Sequence, residues 1–214
     1  MIQKIKNLTR RAVPFAVPVA SAIRHRRSAR KIRRLLKERG DICIELGAGD
    51  KSGKGPWVTI DVTRTCDIYW DLRRGIPFPD ASISRIYSSH FFEHLSFKET
   101  QQFLDECRRV LLPGGRFSVC VPNARIYLEA YVKGTSLDAP EFFGYQPAYN
   151  RTTRIDYVNY TAYMAGEHKY MFDEDNLVFI LTAKGFRNVR LRSFDPSLDL
   201  RERHFESIYA EAEK

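Results

Sequence analysis

From residue 41 onward the chain alternates short apolar runs with stretches of helical period. Ile42-Cys43-Ile44-Glu45-Leu46 reads as a buried strand that stops at Gly47-Ala48-Gly49. Trp57–Val62 predicts a second strand, Cys66–Trp70 a third and Ser84–Ser88 a fourth. Ser96-Phe97-Lys98-Glu99 has the spacing of a capping box, in which a hydroxyl and a carboxylate satisfy the first free amides of a helix. Phe97, Phe103, Leu104, Cys107, Val110 and Leu111 then fall on one helical face, up to Pro113-Gly114-Gly115. Arg116–Val121 predicts the next strand, halted by Pro122. Asp173 caps a further helix that buries Leu177, Ile180 and Leu181 and ends at Gly185, and strands fit Asn188–Arg192 and Glu206–Ala212. Strands alternating with helices predict an α/β domain built on a mostly parallel sheet with helices on both faces. Tyr127–Lys169 shows no clear period and is rich in Tyr, Phe and Gly.

Charge changes the picture only at the N-terminus. The chain has 214 residues and a net charge of +9, but residues 1–40 hold 13 Lys and Arg against one Glu, and the rest sums to −3. An apolar run from Ala12 to Ile23 follows the basic start. Pro14 and Pro18 interrupt it, basic residues crowd Arg24–Lys37 behind it, and it falls short of the roughly 20 residues of a spanning helix. A cytoplasmic protein is therefore expected. Ala29, Ile32, Leu35 and Leu36 recur at helical spacing, so residues 1–40 read as a basic arm and helix. Its basic face is either solvated or drawn peripherally to an anionic membrane on the inner surface. No ladder of aromatic and basic residues runs through the body, so nucleic acid is not an expected partner. Cys43, Cys66, Cys107 and Cys120 form no CxxC pair and read as thiols of a reducing compartment.

In a sheet of this kind a ligand sits at the carboxyl ends of the strands. Gly47 and Gly49 at the end of the first strand allow a tight turn and close approach, and Asp61 closes the second strand 12 residues after Gly49. ELGAGD, DL…GIPFPD, SRIYSSHFFEHL, RVLLPGGRF and SVCVPN, taken in order over Asp41–Asn123, resemble the class I S-adenosylmethionine-dependent methyltransferases. HKYMFDEDNLVFILTAKGF and SIYAEAEK resemble the C-terminal half of that family. The resemblance implies a Rossmann-like fold with a mostly parallel seven-stranded sheet and an antiparallel last strand. It assigns residues 41–214 to the methyltransferase domain, with 127–170 as an acceptor-binding lid. It further implies that Glu45, Gly47 and Gly49 cradle the methionine part of S-adenosylmethionine, that Asp61 holds the ribose, and that Asp71 and Leu72 meet the adenine. Ser89 and His90 would lie beside the methionine end. The chain departs from the family where only Asp50–Pro56 precedes Trp57, too few residues for the usual crossover helix. In this it is similar to a shortened subgroup that methylates hydroxyls of small molecules, sugars and glycans among them.

His90-Phe91-Phe92-Glu93-His94 fits the HxxEH pattern of zinc hydrolases, but that chemistry needs the motif well inside a helix, and here it follows a strand. The expectation is the floor of a methyl-transfer site without a metal. Magnesium is the alternative, with Glu93 its one oxygen donor. An alcohol acceptor must lose a proton as it is methylated, and histidine suits that role near neutral pH. His168 and His90 are the candidate bases. Tyr145, Tyr149, Tyr157, Tyr160, Tyr163 and Tyr170, with Phe142 and Phe143, fall before or beside His168 and could pack on a sugar face or on one another. The competing function is a binding or scaffold protein that keeps the fold without turnover.

Overall fold

The structure, a computed structural model, describes residues 16–38, 40–135 and 153–214. In chain order its elements are α1 (Ala16–Glu38), β1 (Cys43–Leu46), β2 (Trp57–Asp61), β3 (Ile68–Tyr69), β4 (Ile83–Ser89), α2 (Phe97–Val110) and β5 (Leu111–Pro122). They continue with α3 (Ala124–Lys133), α4 (Ile155–Tyr163), α5 (Glu174–Ala183), β6 (Arg187–Leu191) and β7 (Ser207–Glu213). The strands form one seven-stranded sheet in the order β3-β2-β1-β4-β5-β7-β6. β1 pairs in parallel with β2 and β4, as do β2 with β3 and β4 with β5, whereas β7 runs antiparallel to β5 and β6. The chain moves outward from β1 to β3 and then returns to β4 on the other side of β1. That reversal opens a crevice at the carboxyl ends of β1 and β4.

The core sits between sheet and helices. Ile44, Leu46, Ile60, Ile86, Phe117 and Val119 of the strands pack with Phe103, Leu104 and Cys107 of α2 and Leu177, Ile180 and Leu181 of α5. The Ser96 capping box is present at α2, and the Asp173 side chain accepts from the Asn176 amide at α5. The helix α2 stops at Val110, earlier than the Pro-Gly-Gly signal suggests, because Leu111 is already extended and pairs with Ile83. All the cysteines are free, and Cys43, Cys107 and Cys120 are buried.

Residues 47–56 connect β1 to β2 without a helix. A carboxylate holds this loop instead: Gly53 N–H and Thr59 N–H donate to Asp67 Oδ2 at 3.0 and 3.1 Å. Lys31 of α1 reaches Asp67 Oδ1 at 2.6 Å. Burial pushes the Asp67 carboxyl up, but Lys31 and the backbone donors outweigh it and hold it below the usual range. Ser28 Oγ accepts from Tyr69 N–H and donates to Tyr69 O, so α1 is fastened to the β3 edge. The buried stripe of α1 runs through Ser28, Ile32, Leu35 and Leu36, while Ala29, expected on that face, is exposed. Among the described residues no helix is long and apolar enough to cross a membrane.

The region expected to lack period contains two helices. α3 is capped by the Asn123 side chain, and Tyr127 and Ala130 pack with Tyr157 of α4 in a second, smaller core. Tyr157 and Tyr160 are therefore buried in the fold rather than held out to a ligand, and Tyr163 is exposed. Tyr170 packs on Phe97 and Phe172. Phe142, Phe143, Tyr145 and Tyr149 lie outside the described residues.

Candidate active site

Leu46 ends β1 and the chain turns sharply through Gly47 and Gly49, both at positive φ (70° and 62°). Gly47 has no room for a side chain: a Cβ there would stand 2.3 Å from the ring of Phe91. Gly49 N–H donates to Asp61 Oδ2 at 2.9 Å, and Val62 N–H donates to Oδ1 at 2.6 Å. The Asp61 carboxylate thus ties the glycine turn to the end of β2. Each oxygen keeps acceptor capacity for a ligand hydroxyl.

Asp61 also lines a cavity of about 360 Å³ whose walls include Trp70, Asp71, Leu72, Phe91 and His94. Gly166, Glu167 and Lys169 close it from the far side. The backbone explains how that segment arrives: Lys169 N–H and Tyr170 N–H both donate to Glu93 O, at 2.7 and 3.3 Å. Asp71 caps the short turn Leu72–Arg74 and is held by Arg73 through bonds of 2.9 and 2.8 Å. That pairing holds the Asp71 carboxyl below its usual range. A base in the cavity would meet an Asp71 already shared with Arg73.

The other expected site residues lie elsewhere. Glu45 lines a separate hollow with Tyr87 and Lys51, pairing with Lys51 at 2.9 Å. Ser89 ends β4, half-buried and away from the walls of the 360 Å³ cavity. His90, at φ 50°, turns toward β7, where Nε2 lies 2.8 Å from Ser207 Oγ. Ser207 Oγ gives its own proton to Arg203 O, so His90 Nε2 is the donor. Arg203 approaches Nδ1 at 3.0 Å and Glu93 Oε1 lies 3.4 Å from the same nitrogen. Burial opposes charge on His90, while Cys120 and Glu93 favour it and raise its pKa to about 9. In either protonation state both ring nitrogens have partners.

His168 is buried, and its Nδ1 donates to Thr161 O at 2.8 Å. Burial, the largest influence, lowers its pKa. Its ring meets that of His94 edge to face at 5.0 Å. His94 is half-buried and forms part of the cavity wall. Sequence reasoning missed Trp70, Phe91, Glu167 and Lys169 as wall residues. Phe91 had a signal in its place in the His90–His94 stretch, and Glu167 and Lys169 had one in flanking His168.

Residues 64–119 match the family model described as a methyltransferase domain. Over 57 residues the chain is 44% identical to a probable S-adenosylmethionine-dependent methyltransferase of Mycolicibacterium smegmatis, a stretch of 25% of this chain. The match spans only 21% of that relative. A methyltransferase structure from Archaeoglobus fulgidus superposes with a TM-score of 0.50 at 16% identity, covering 89% of this chain and 94% of that one. The fold is that of the class I methyltransferases. The Burkholderia thailandensis 1,6-didemethyltoxoflavin N1-methyltransferase, solved with its substrate and S-adenosylhomocysteine, shares this methyltransferase fold. Its TM-score is 0.50 at 14% identity, over 93% of this chain and 81% of that one. Asp61 offers the cavity a fixed carboxylate, and Trp70, Leu72 and Phe91 give it apolar walls on which a flat ring can pack.

Proposed function

We propose that this protein is an S-adenosylmethionine-dependent methyltransferase acting on a hydroxyl of a small molecule, a sugar or glycan being the favoured acceptor. One observation carries the reading: the carboxylate that fastens the glycine turn also faces the cavity at the point where the sheet order reverses. When bound, S-adenosylmethionine supplies a methyl group already activated on sulfur. The chain must then hold the nucleoside, align the acceptor and exclude water. Asp61 accepts from the ribose hydroxyls, and the Gly47 turn, packed on Phe91, presents backbone rather than side chain to the ligand. Gly166, Glu167 and Lys169 wall the same cavity and help to exclude water from it. Preference for a hydroxyl over an amine rests on the resemblance to the shortened subgroup.

Calorimetry with S-adenosylmethionine and S-adenosylhomocysteine is the first test, and absence of binding to either refutes the reading. Transfer of labelled methyl across a panel of sugars, phenols and amines is the second. Transfer to amines alone corrects the acceptor class, and binding without any transfer favours the scaffold function. On α1, exposed Arg26, Arg27, Arg30 and Arg33 support the expected contact with an anionic membrane. Co-sedimentation with acidic vesicles that fails to weaken with salt would count against it.

A further inference from the structure

The structure brings His168 to the adjacent pair Glu93 and His94, from which it is far apart in the chain. One ligand atom from each lies within 4.8 Å of the others. Glu93 is 2% exposed, and its Oε2 has no hydrogen-bond partner. A buried carboxylate oxygen left unpaired is costly unless a cation completes it. The histidines are prepared for that role. His94 Nδ1 lies 3.0 Å from Glu167 O and His168 Nδ1 lies 2.8 Å from Thr161 O. A carbonyl only accepts, so each Nδ1 carries the proton and each neutral ring keeps its lone pair on Nε2. Backbone carbonyls fixing the far nitrogen are the usual support of metal-binding histidines.

We infer that Glu93, His94 and His168 form a site for a divalent first-row transition-metal ion such as Mn²⁺ or Zn²⁺, beside the proposed methyl-transfer cavity. Two imidazoles and one carboxylate suit these ions better than magnesium, which prefers oxygen donors throughout. With metal–ligand bonds of about 2.1 Å, ligand atoms stand about 3–4 Å apart, so a small inward rotation of the rings closes the site. His94 also forms part of the cavity wall, so the site borders the proposed methyl-transfer cavity. There the ion would hold the acceptor oxygen and ease loss of its proton, in place of a free histidine base. This catalytic role rests on the methyltransferase reading; the binding itself does not.

The test uses the full chain, untagged and freed of metal by chelation, titrated calorimetrically with MnCl₂ and separately with ZnCl₂. One saturable site per chain is expected. Glu93→Gln and His168→Ala should each weaken it by roughly 10- to 100-fold, the range for loss of support at a metal site, or more. Circular dichroism of each metal-free variant shows whether it is folded. Should His168→Ala unfold, Glu93→Gln, which keeps the side-chain shape, still decides the matter. No stoichiometric binding, or binding that persists undiminished in the folded variants, overturns the proposal. Calorimetry with S-adenosylhomocysteine on the same metal-free samples keeps failure of the metal site distinct from failure of the methyltransferase reading.

Discussion

Replacing Asp61 by Asn tests the cofactor site with little change of shape. In the native protein the carboxylate accepts Gly49 N–H at 2.9 Å and Val62 N–H at 2.6 Å, one on each oxygen. An amide has one acceptor atom, so its NH₂ must face one of those donors. That costs about 1 kcal/mol of stability, small against the roughly 5–15 kcal/mol of a folded domain. Cofactor binding loses more, because ribose hydroxyls donating to a carboxylate make charge-assisted bonds. Removing the charge should weaken binding by about 1.5–3 kcal/mol, or roughly 10- to 150-fold in Kd. Calorimetry with S-adenosylhomocysteine measures this without turnover, and urea unfolding checks the fold. Asp61→Ala should lose as much affinity, since it too lacks the acceptor charge. A Kd within threefold of the parent in a folded Asp61→Asn protein would move the ribose contact elsewhere.

Gly47→Ala should destabilise the protein by about 2–4 kcal/mol in urea unfolding, from the positive φ and from a Cβ driven into the Phe91 ring. Equal stability would mean that Phe91 moves freely aside. Ser28→Ala should cost about 1–3 kcal/mol, because it strips the Tyr69 backbone N–H of its partner at 2.9 Å under a buried contact. A neutral result would show that α1 is held by its apolar stripe alone. Glu99, the capping-box carboxylate, has its pKa lowered from 4.5 to about 2, first by the Ser96 backbone N–H and then by the Ser96 side chain. A lowered carboxylate pKa stabilises the fold above the unfolded value and loses that contribution as pH falls through the folded one. The stability gap between the parent and Glu99→Gln should therefore be constant above about pH 5 and shrink toward pH 2. A gap that is flat across that window removes the charge from the cap.

The strands and the helices α2 and α5 were legible because their signals are local. Alternating burial, the Ser96–Glu99 cap and Gly185 each act within a few residues. α3 was not, because its apolar residues face all round: Leu128, Tyr131 and Val132 are 43%, 46% and 82% exposed, opposite buried Tyr127 and Ala130. No single stripe marks such a helix. Asp61, Asp71 and Leu72 follow strand ends in the sequence, and the structure sets them around one cavity. Glu93 was read as a possible oxygen donor to a metal, but the place of His168 beside it was not readable. His168 arrives through the bond from Lys169 N–H to the Glu93 carbonyl, a tertiary contact that no local spacing announces. The partners of His90 were equally illegible: Ser207 and Arg203 come to its nitrogens from the far end of the chain.

The missing crossover helix connects these observations. In a doubly wound sheet the turn after β1 ordinarily leads into a helix whose first N–H groups face the ligand and which covers one side of the sheet. Here residues 47–56 carry no helix. The loop's position is fixed instead by side chains: Asp67 gathers Gly53 and Thr59, Asp61 gathers Gly49, and Thr63 Oγ1 donates to Gly49 O at 2.6 Å. The helix that packs near this loop comes from the N-terminal arm, with Lys31 reaching the same Asp67 that holds Gly53. Local charge likewise comes from a side chain, Lys51, rather than from a helix terminus. A carboxylate hub does for this loop what backbone hydrogen bonding does for a crossover helix. Helix α1 is thereby part of the scaffold that holds the loop between β1 and β2.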